Sequence, residues 1–237
     1  MAVAPLQALL VDVGGTLVRD DTWIAREPYE DLMVARLADA YGGLAPPWAR
    51  ELAHYTWGTP DFTTPIAEQI ASFLAERGHP ATLDEIDRIC RACAVPLPEV
   101  VQLDPNALGA MQSARRLGLR IAICSNTLYR NDEDAHRDWV QFGFDNCFDG
   151  YITSHTTGVT KPHAGIFERA LEILGAKADV AAMVGDQLLR DVAGGKAVGM
   201  RTIWKRPEWH SGPVEPRPDA TIASLDQLEP ILRRWLS

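Results

Sequence analysis

From about residue 100 onward the chain alternates short apolar runs with amphipathic stretches, and this alternation is what most limits its fold. The runs LRIAICSN (119–126), YITS (151–154), VAAMVGD (180–186), RTIW (201–204) and DATIAS (219–224) read as strands. Helical patterns near 105–117, 132–142, 163–175, 191–199 and 225–236 follow them or lie between them. Strands and helices that alternate in this way predict an α/β fold, a Rossmann-like parallel sheet flanked by helices. Near the N-terminus Leu9, Leu10 and Val11 supply one more strand, which delivers Asp12 to its end. Ligands of such sheets gather beyond the carboxyl ends of the strands. Asp12 with Gly14 and Gly15, Ser125 with Asn126, and Gly185 with Asp186 all fall there.

Residues 19–98 interrupt the alternation with helical signals and no convincing strand. PYEDLMVARLADAYGG (28–43) runs from Pro28 to a Gly42–Gly43 stop, and TPIAEQIASFLAERG (64–78) has Thr64 as its cap, Pro65 in its first turn and Gly78 as its stop. TLDE (82–85) opens a third helix with Thr82 and Glu85 as a capping box. The expected organisation is an α/β core built from residues 1–18 and 99–237, with residues 19–98 as a small all-helical domain.

The formal charge of −9 argues against nucleic acid or an anionic membrane as the main partner, because either would need a clustered basic surface. No apolar run approaches the ~18 residues of a membrane span, and the N-terminal stretch has no basic leader, so a cytoplasmic location is expected. A monomer or homodimer acting on a small molecule fits this balance. Cys90 and Cys93 form a C-x-x-C, but they share a helical face with Ile86 and Ile89 and read as core packing. Zinc would want a second pair, and Cys124 and Cys147 stand alone.

The stretch D-V-G-G-T (12–16) admits two readings, a nucleophilic aspartate or a phosphate loop of the kind found in sugar kinases. Such kinases need a second loop and a longer chain. AGGKAVG (193–199) is no Walker loop either, since Ala197 follows Lys196 and Arg190 stands where the first glycine belongs.

Four segments in order settle the choice. Asp12 with Gly15, Thr16 and Leu17, then Ser125 with Asn126, then Lys161 in GVTKPHAGIFERAL, then Asp186 and Asp191 in MVGDQLLRDVAGGKAVGM resemble the haloacid dehalogenase superfamily. The resemblance spans nearly the whole chain, with residues 19–98 in the place of the helical cap that follows the first motif. It implies a hydrolase in which the Asp12 carboxylate attacks phosphorus to form an aspartyl phosphate. Two anions must then meet, and their repulsion, about 4 kcal/mol at 4 Å near a protein surface, calls for cations. The resemblance supplies Mg2+, held by Asp12, the Gly14 carbonyl and Asp186, with Asp191 a ligand or a partner behind the ligands. It makes Lys161 a catalytic cation and Ser125 a donor to the phosphoryl oxygens, and it places Gly15, Thr16 and Asn126 around the substrate phosphate.

One position departs from the pattern. Phosphatases of this superfamily carry a second aspartate two residues after the nucleophile, as the acid that protonates the leaving oxygen and the base that activates water. Here that position is Gly14. A positioned acid or base contributes about 10²–10⁴ in rate, about 3–5 kcal/mol of barrier. Dehalogenases carry tyrosine there and lose the late acidic pair, which this chain keeps. Phosphonatases carry alanine and draw a lysine from the cap, but every cation before Lys161 is an arginine. The expectation is therefore a phosphatase whose substrate has a good leaving group, such as an acyl or aryl phosphate, or one whose acid comes from elsewhere. Asp20, Asp21 and His54 are candidates for that acid by position alone. The alternative is an idle site in a binding or regulatory protein. In HYTWGTPDFTTP (54–65), Tyr55, Trp57 and Phe62 could line a substrate pocket, although core packing suits at least two of them better.

Overall fold

The computed structural model describes residues 4–58 and 64–237. Six strands, β1 (Ala8–Val11), β2 (Arg120–Ser125), β3 (Gly150–Thr153), β4 (Ala181–Gly185), β5 (Arg201–Lys205) and β6 (Ala220–Ile222), form one sheet in the order β3-β2-β1-β4-β5-β6. Every pairing is parallel. The α/β class and its parallel sheet stand as the alternation requires.

Strand β1 lies between β2 and β4, with Val11 in register with Ile123 on one side and Val184 on the other. The four residues of β1 are fully buried because both faces of the sheet are covered. Period-two alternation divides them: Leu9 and Val11 join Ile121, Ile123, Ala182 and Val184 in one layer, whereas Ala8 and Leu10 join Ala122, Cys124 and Met183 in the other. The sheet order reverses at β1, so the chain crosses over to opposite sides of Asp12, and a crevice opens beyond the carboxyl ends of β1, β2 and β4.

Between β1 and β2 the chain is helical: α1 (Arg26–Ala40), α2 (Ala49–Gly58), α3 (Ile66–Glu76), α4 (Leu83–Cys93), the single turn α5 (Leu97–Val100), and α6 (Ala107–Arg116), which packs on the sheet. The first four share their own apolar cluster, with Met33, Leu37, Leu52, Ile70, Phe73 and Ile89 at its centre and Cys90 and Cys93 buried within it. Beyond β2 come α7 (Asp132–Gln141), the short turn α8 (Ser154–Thr157), α9 (Ala164–Leu174), α10 (Ala193–Ala197) and α11 (Leu228–Leu236).

Several local readings change. Helix α1 starts at Arg26, two residues before Pro28, which is accommodated within the first turn. At α3, Pro65 rather than Thr64 stands at the N-cap. The Thr82 hydroxyl accepts the Glu85 N–H at 3.3 Å, but the Glu85 carboxylate accepts the Tyr41 hydroxyl at 3.0 Å, so only half of the expected capping box forms. The reciprocal box occurs instead at α7, between Asn131 and Asp134. The stretch 191–199 is not one regular helix, because a wide π-type turn over Leu188–Val192 precedes α10 and turns Asp191 inward. Among the described residues no helix is long and apolar enough to cross a membrane.

Candidate active site

Asp12 is the first residue beyond β1, and its backbone N–H donates to the Val184 carbonyl at 2.9 Å, extending the pairing with β4 by one step. Its side chain therefore enters the crevice from a backbone fixed on both flanks. From β4, Gly185 and Asp186 arrive alongside, and the π-type turn returns Asp191 to the same place. Lys161, in the loop before α9, completes a cluster in which all four side chains are buried.

Lys161 Nζ donates to Asp12 Oδ1 at 2.5 Å and to Asp191 Oδ1 at 2.7 Å. The remaining Asp191 oxygen accepts the Gln187 N–H at 3.0 Å, and Thr16 Oγ1 donates to Asp12 Oδ2 at 3.4 Å. Asp186 Oδ1 is buried and has no hydrogen-bond partner among the described residues. An orphaned carboxylate oxygen is costly unless a donor or a cation meets it.

The charges point the same way. Burial opposes the Lys161 ammonium, but Asp12 and Asp191 outweigh it and hold the amine above its ordinary range. Burial raises the Asp186 carboxyl, and the neighbouring Asp12 and Asp191 carboxylates raise it further. Burial also raises Asp191, with Lys161 pulling in the other direction. Oxygens of Asp12, Asp186 and Asp191 lie within 4.8 Å of one another, so these residues could hold a metal ion. Burial and crowding disfavour the charged forms of Asp186 and Asp191, and a divalent cation among these carboxylates would offset that cost.

Glycines make room for this packing. A Cβ on Gly185 would lie 2.2 Å from Asp191 Cγ, and one on Gly15 would lie 2.6 Å from Asp186 Oδ2. Gly15 also has φ +65, a conformation that side-chain-bearing residues seldom adopt.

The cluster opens into a cavity of about 370 Å³, whose lining includes Asp12, Gly14, Ser125, Asn126 and Lys161 together with the aromatic residues Trp23, Tyr29, Trp57 and Tyr129. Trp57 packs on Tyr29 with ring centroids 4.9 Å apart. Tyr55 instead leans on Phe73, outside the cavity lining, and Phe62 lies outside the described residues.

Two residues expected at the substrate phosphate make side-chain hydrogen bonds within the protein. Thr16 is fully buried behind Asp12, and its hydroxyl serves that carboxylate. Asn126 reaches the cavity, yet its amide clasps the Lys161 backbone at both ends, donating to the carbonyl at 3.2 Å and accepting the N–H at 2.8 Å. Gly15 likewise lies outside the cavity lining, with Asp186 packed where its side chain would be. Ser125 and Gly14 do line the cavity.

Of the three residues considered for a relocated acid, one reaches the site. His54 pairs with Glu30 at 3.0 Å, and Asp21 is held by Arg19 at 2.6 Å. Asp20 lines the cavity, where partial burial and the Asp12 carboxylate raise its pKa.

Sequence reasoning missed the end of β5. Trp204 Nε1 donates to the Asp186 carbonyl at 2.7 Å, fixing the backbone that carries Asp186. Lys205 Nζ donates to the Gly15 and Thr16 carbonyls and to Asp104, each at 2.9 Å, and so pins the loop after β1. The available signal was an apolar strand ending in Trp-Lys beside the strand that carries Asp186. Arg130, which also lines the cavity, is held by the Val95 carbonyl at 2.9 Å and by Asp138 at 3.6 Å.

The fold and this cluster define a parallel α/β protein with a lysine-bridged acidic pocket at its topological switch point. The model of haloacid dehalogenase-like hydrolases matches residues 6–199, and the chain belongs to that family. It is 36% identical over 103 residues to a glyceraldehyde 3-phosphate phosphatase of Pyrococcus abyssi, covering 42% of this chain and 41% of that one. The chain thus spans about two fifths of that relative. A phosphoserine phosphatase of Thermus thermophilus is 28% identical, covering 94% of this chain and 98% of its own. The crystal structure of a 2-haloacid dehalogenase from Pseudomonas syringae superposes with a TM-score of 0.67 at 22% identity, over 97% of this chain and 99% of that one, and shares the fold.

Proposed function

We propose that the chain is a Mg2+-dependent phosphatase of small phosphorylated metabolites, with Asp12 as the nucleophile. The observation that carries this reading is the buried cluster of Asp12, Lys161, Asp186 and Asp191 at the floor of a cavity large enough for such a substrate. Relatives named as phosphatases of glyceraldehyde 3-phosphate and phosphoserine support the substrate class. Residues 19–98 act as a cap, and its Trp23, Tyr29 and Trp57 contribute to the cavity lining.

Asp12, Asp186, Asp191 and the Gly14 carbonyl would hold Mg2+, and the unpartnered Asp186 oxygen fits that task. When bound, the cation offsets the repulsion between a carboxylate and a phosphoryl group. Lys161 holds the Asp12 side chain through its hydrogen bond and aims it into the cavity. The Ser125 hydroxyl donates to a phosphoryl oxygen. Asp12 then bonds to phosphorus as the ester oxygen departs, and water releases phosphate in a second step.

A panel of phosphorylated metabolites with Mg2+ tests the proposal. Wild-type protein should release phosphate, and Asp12→Asn should lose at least about a thousandfold while retaining the fold. Undiminished turnover by Asp12→Asn would overturn the covalent reading.

A further inference from the structure

The loop after β1 brings a carboxylate back to the place where Gly14 has none. A Cβ built on Gly14 would lie 4.0 Å from Asp20 Oδ1. The carboxyl oxygens of an aspartate lie ~2.4 Å from its own Cβ, so Asp20 Oδ1 comes within about 2 Å of the shell that an aspartate at position 14 would sweep. Asp20 faces the same cavity as Asp12, Ser125 and Lys161.

Its placement is built in. The Gly14–Val18 and Val18–Leu103 bridges tie the two limbs of the loop together, and Arg19 N–H donates to the Gln102 carbonyl at 3.0 Å. Thr22 Oγ1 closes the following turn on the Arg19 carbonyl at 2.9 Å and accepts the Gln102 N–H at 3.0 Å. The loop packs closely on the carboxylate itself, since a Cβ on Gly15 would lie 2.9 Å from Asp20 Oδ2.

We propose that Asp20 is the general acid and base of the reaction, moved in sequence but not in space. This rests on the phosphatase reading above. In the first step an Asp12 oxygen bonds to phosphorus, the bond from phosphorus to the ester oxygen breaks with its electron pair on that oxygen, and Asp20 gives it a proton. The alcohol leaves neutral. In the second step water attacks the aspartyl phosphate, its proton passes to the Asp20 carboxylate, and the bond from phosphorus to Asp12 breaks with its electrons returned to Asp12. Phosphate leaves, and both carboxyl groups are restored. A substrate with a good leaving group is then no longer required.

The test compares wild type, Asp20→Asn and the double variant Gly14→Asp/Asp20→Asn on substituted phenyl phosphates with Mg2+. These probes share one shape and differ in leaving-group basicity. Wild type should show a shallow dependence of aspartyl-phosphate formation on that basicity. Asp20→Asn should lose about 10²-fold or more on phenyl phosphate but less than about tenfold on 4-nitrophenyl phosphate. The double variant should recover the shallow dependence, since a Cβ at position 14 would meet nothing closer than Asp20 Oδ1 at 4.0 Å and the φ there lies outside the left-handed region. A parallel loss across the series in Asp20→Asn, or no loss, would overturn the assignment while wild-type turnover kept the phosphatase reading. Wild-type protein inert to every probe would instead remove that reading, and this inference with it.

Discussion

Lys161 Nζ lies 2.7 Å from Asp191 Oδ1, and both residues are almost wholly buried. The bridge joins the loop before α9 to the turn after β4, and through the second Lys161 contact, with Asp12, it reaches the end of β1. Three separate crossings of the sheet are thereby tied at one ammonium group.

Lys161→Met keeps the stem and removes the charge. Without Mg2+ the variant should lose about 3–5 kcal/mol of unfolding free energy, the cost of leaving buried carboxylates without their counter-charge. Added Mg2+ should restore part of that loss, because a divalent cation compensates the same carboxylates. Denaturant unfolding in chelator and in Mg2+ measures both, and equal losses in the two conditions would mean that Lys161 and the metal do not share a site.

Gly185→Ala would place a Cβ 2.2 Å from Asp191 Cγ, so the carboxylate must move. Overpacking of this kind costs about 1–3 kcal/mol and should lower Mg2+ affinity at least tenfold. Gly109, inside α6, has open space around its Cβ position. Gly109→Ala should add about 0.5–1 kcal/mol of stability from helix propensity alone, with Mg2+ affinity unchanged. Calorimetric titration of Mg2+ separates the two variants.

Asp138 gives a pH signature away from the acidic cluster. Burial pushes its carboxyl up to about 6, although Arg130 and the Leu97 N–H hold it back. A raised carboxyl favours the folded state while protonated. Its contribution is therefore complete below the unfolded value of about 3.9 and is lost as pH rises through about 6. The stability of wild type relative to Asp138→Asn should fall by roughly 2–3 kcal/mol across that interval. Unfolding curves of both proteins from pH 4 to pH 7 provide the difference, and a flat difference would contradict the assignment.

The sequence carried the sheet and the acidic cluster because both are written in short local patterns. Apolar runs such as LRIAICSN can be buried only on both faces, and each ends where the fold places its chemistry. Asp12, Lys161, Asp186 and Asp191 lie far apart in the chain and meet because the strand order reverses at β1. What sequence could not show is how polar groups divide their bonds. Thr16 and Asn126 carry donors suited to a phosphate, yet packing assigns them to Asp12 and to the Lys161 backbone. Asp20 follows Gly14 by six residues, and only the fold of the loop shows that its carboxylate returns to that glycine. The Lys205 clamp on the same loop joins positions nearly two hundred residues apart, beyond the reach of any periodicity.

A beryllium fluoride trap with Mg2+ tests most directly whether Asp12 stands in an assembled phosphoryl-transfer site. Fluorine resonance should report a bound trifluoroberyllate that requires Mg2+, saturates at one equivalent per chain and disappears in Asp12→Asn. Failure to form the adduct at saturating Mg2+ and beryllium fluoride, or an adduct that persists in Asp12→Asn, would contradict the account.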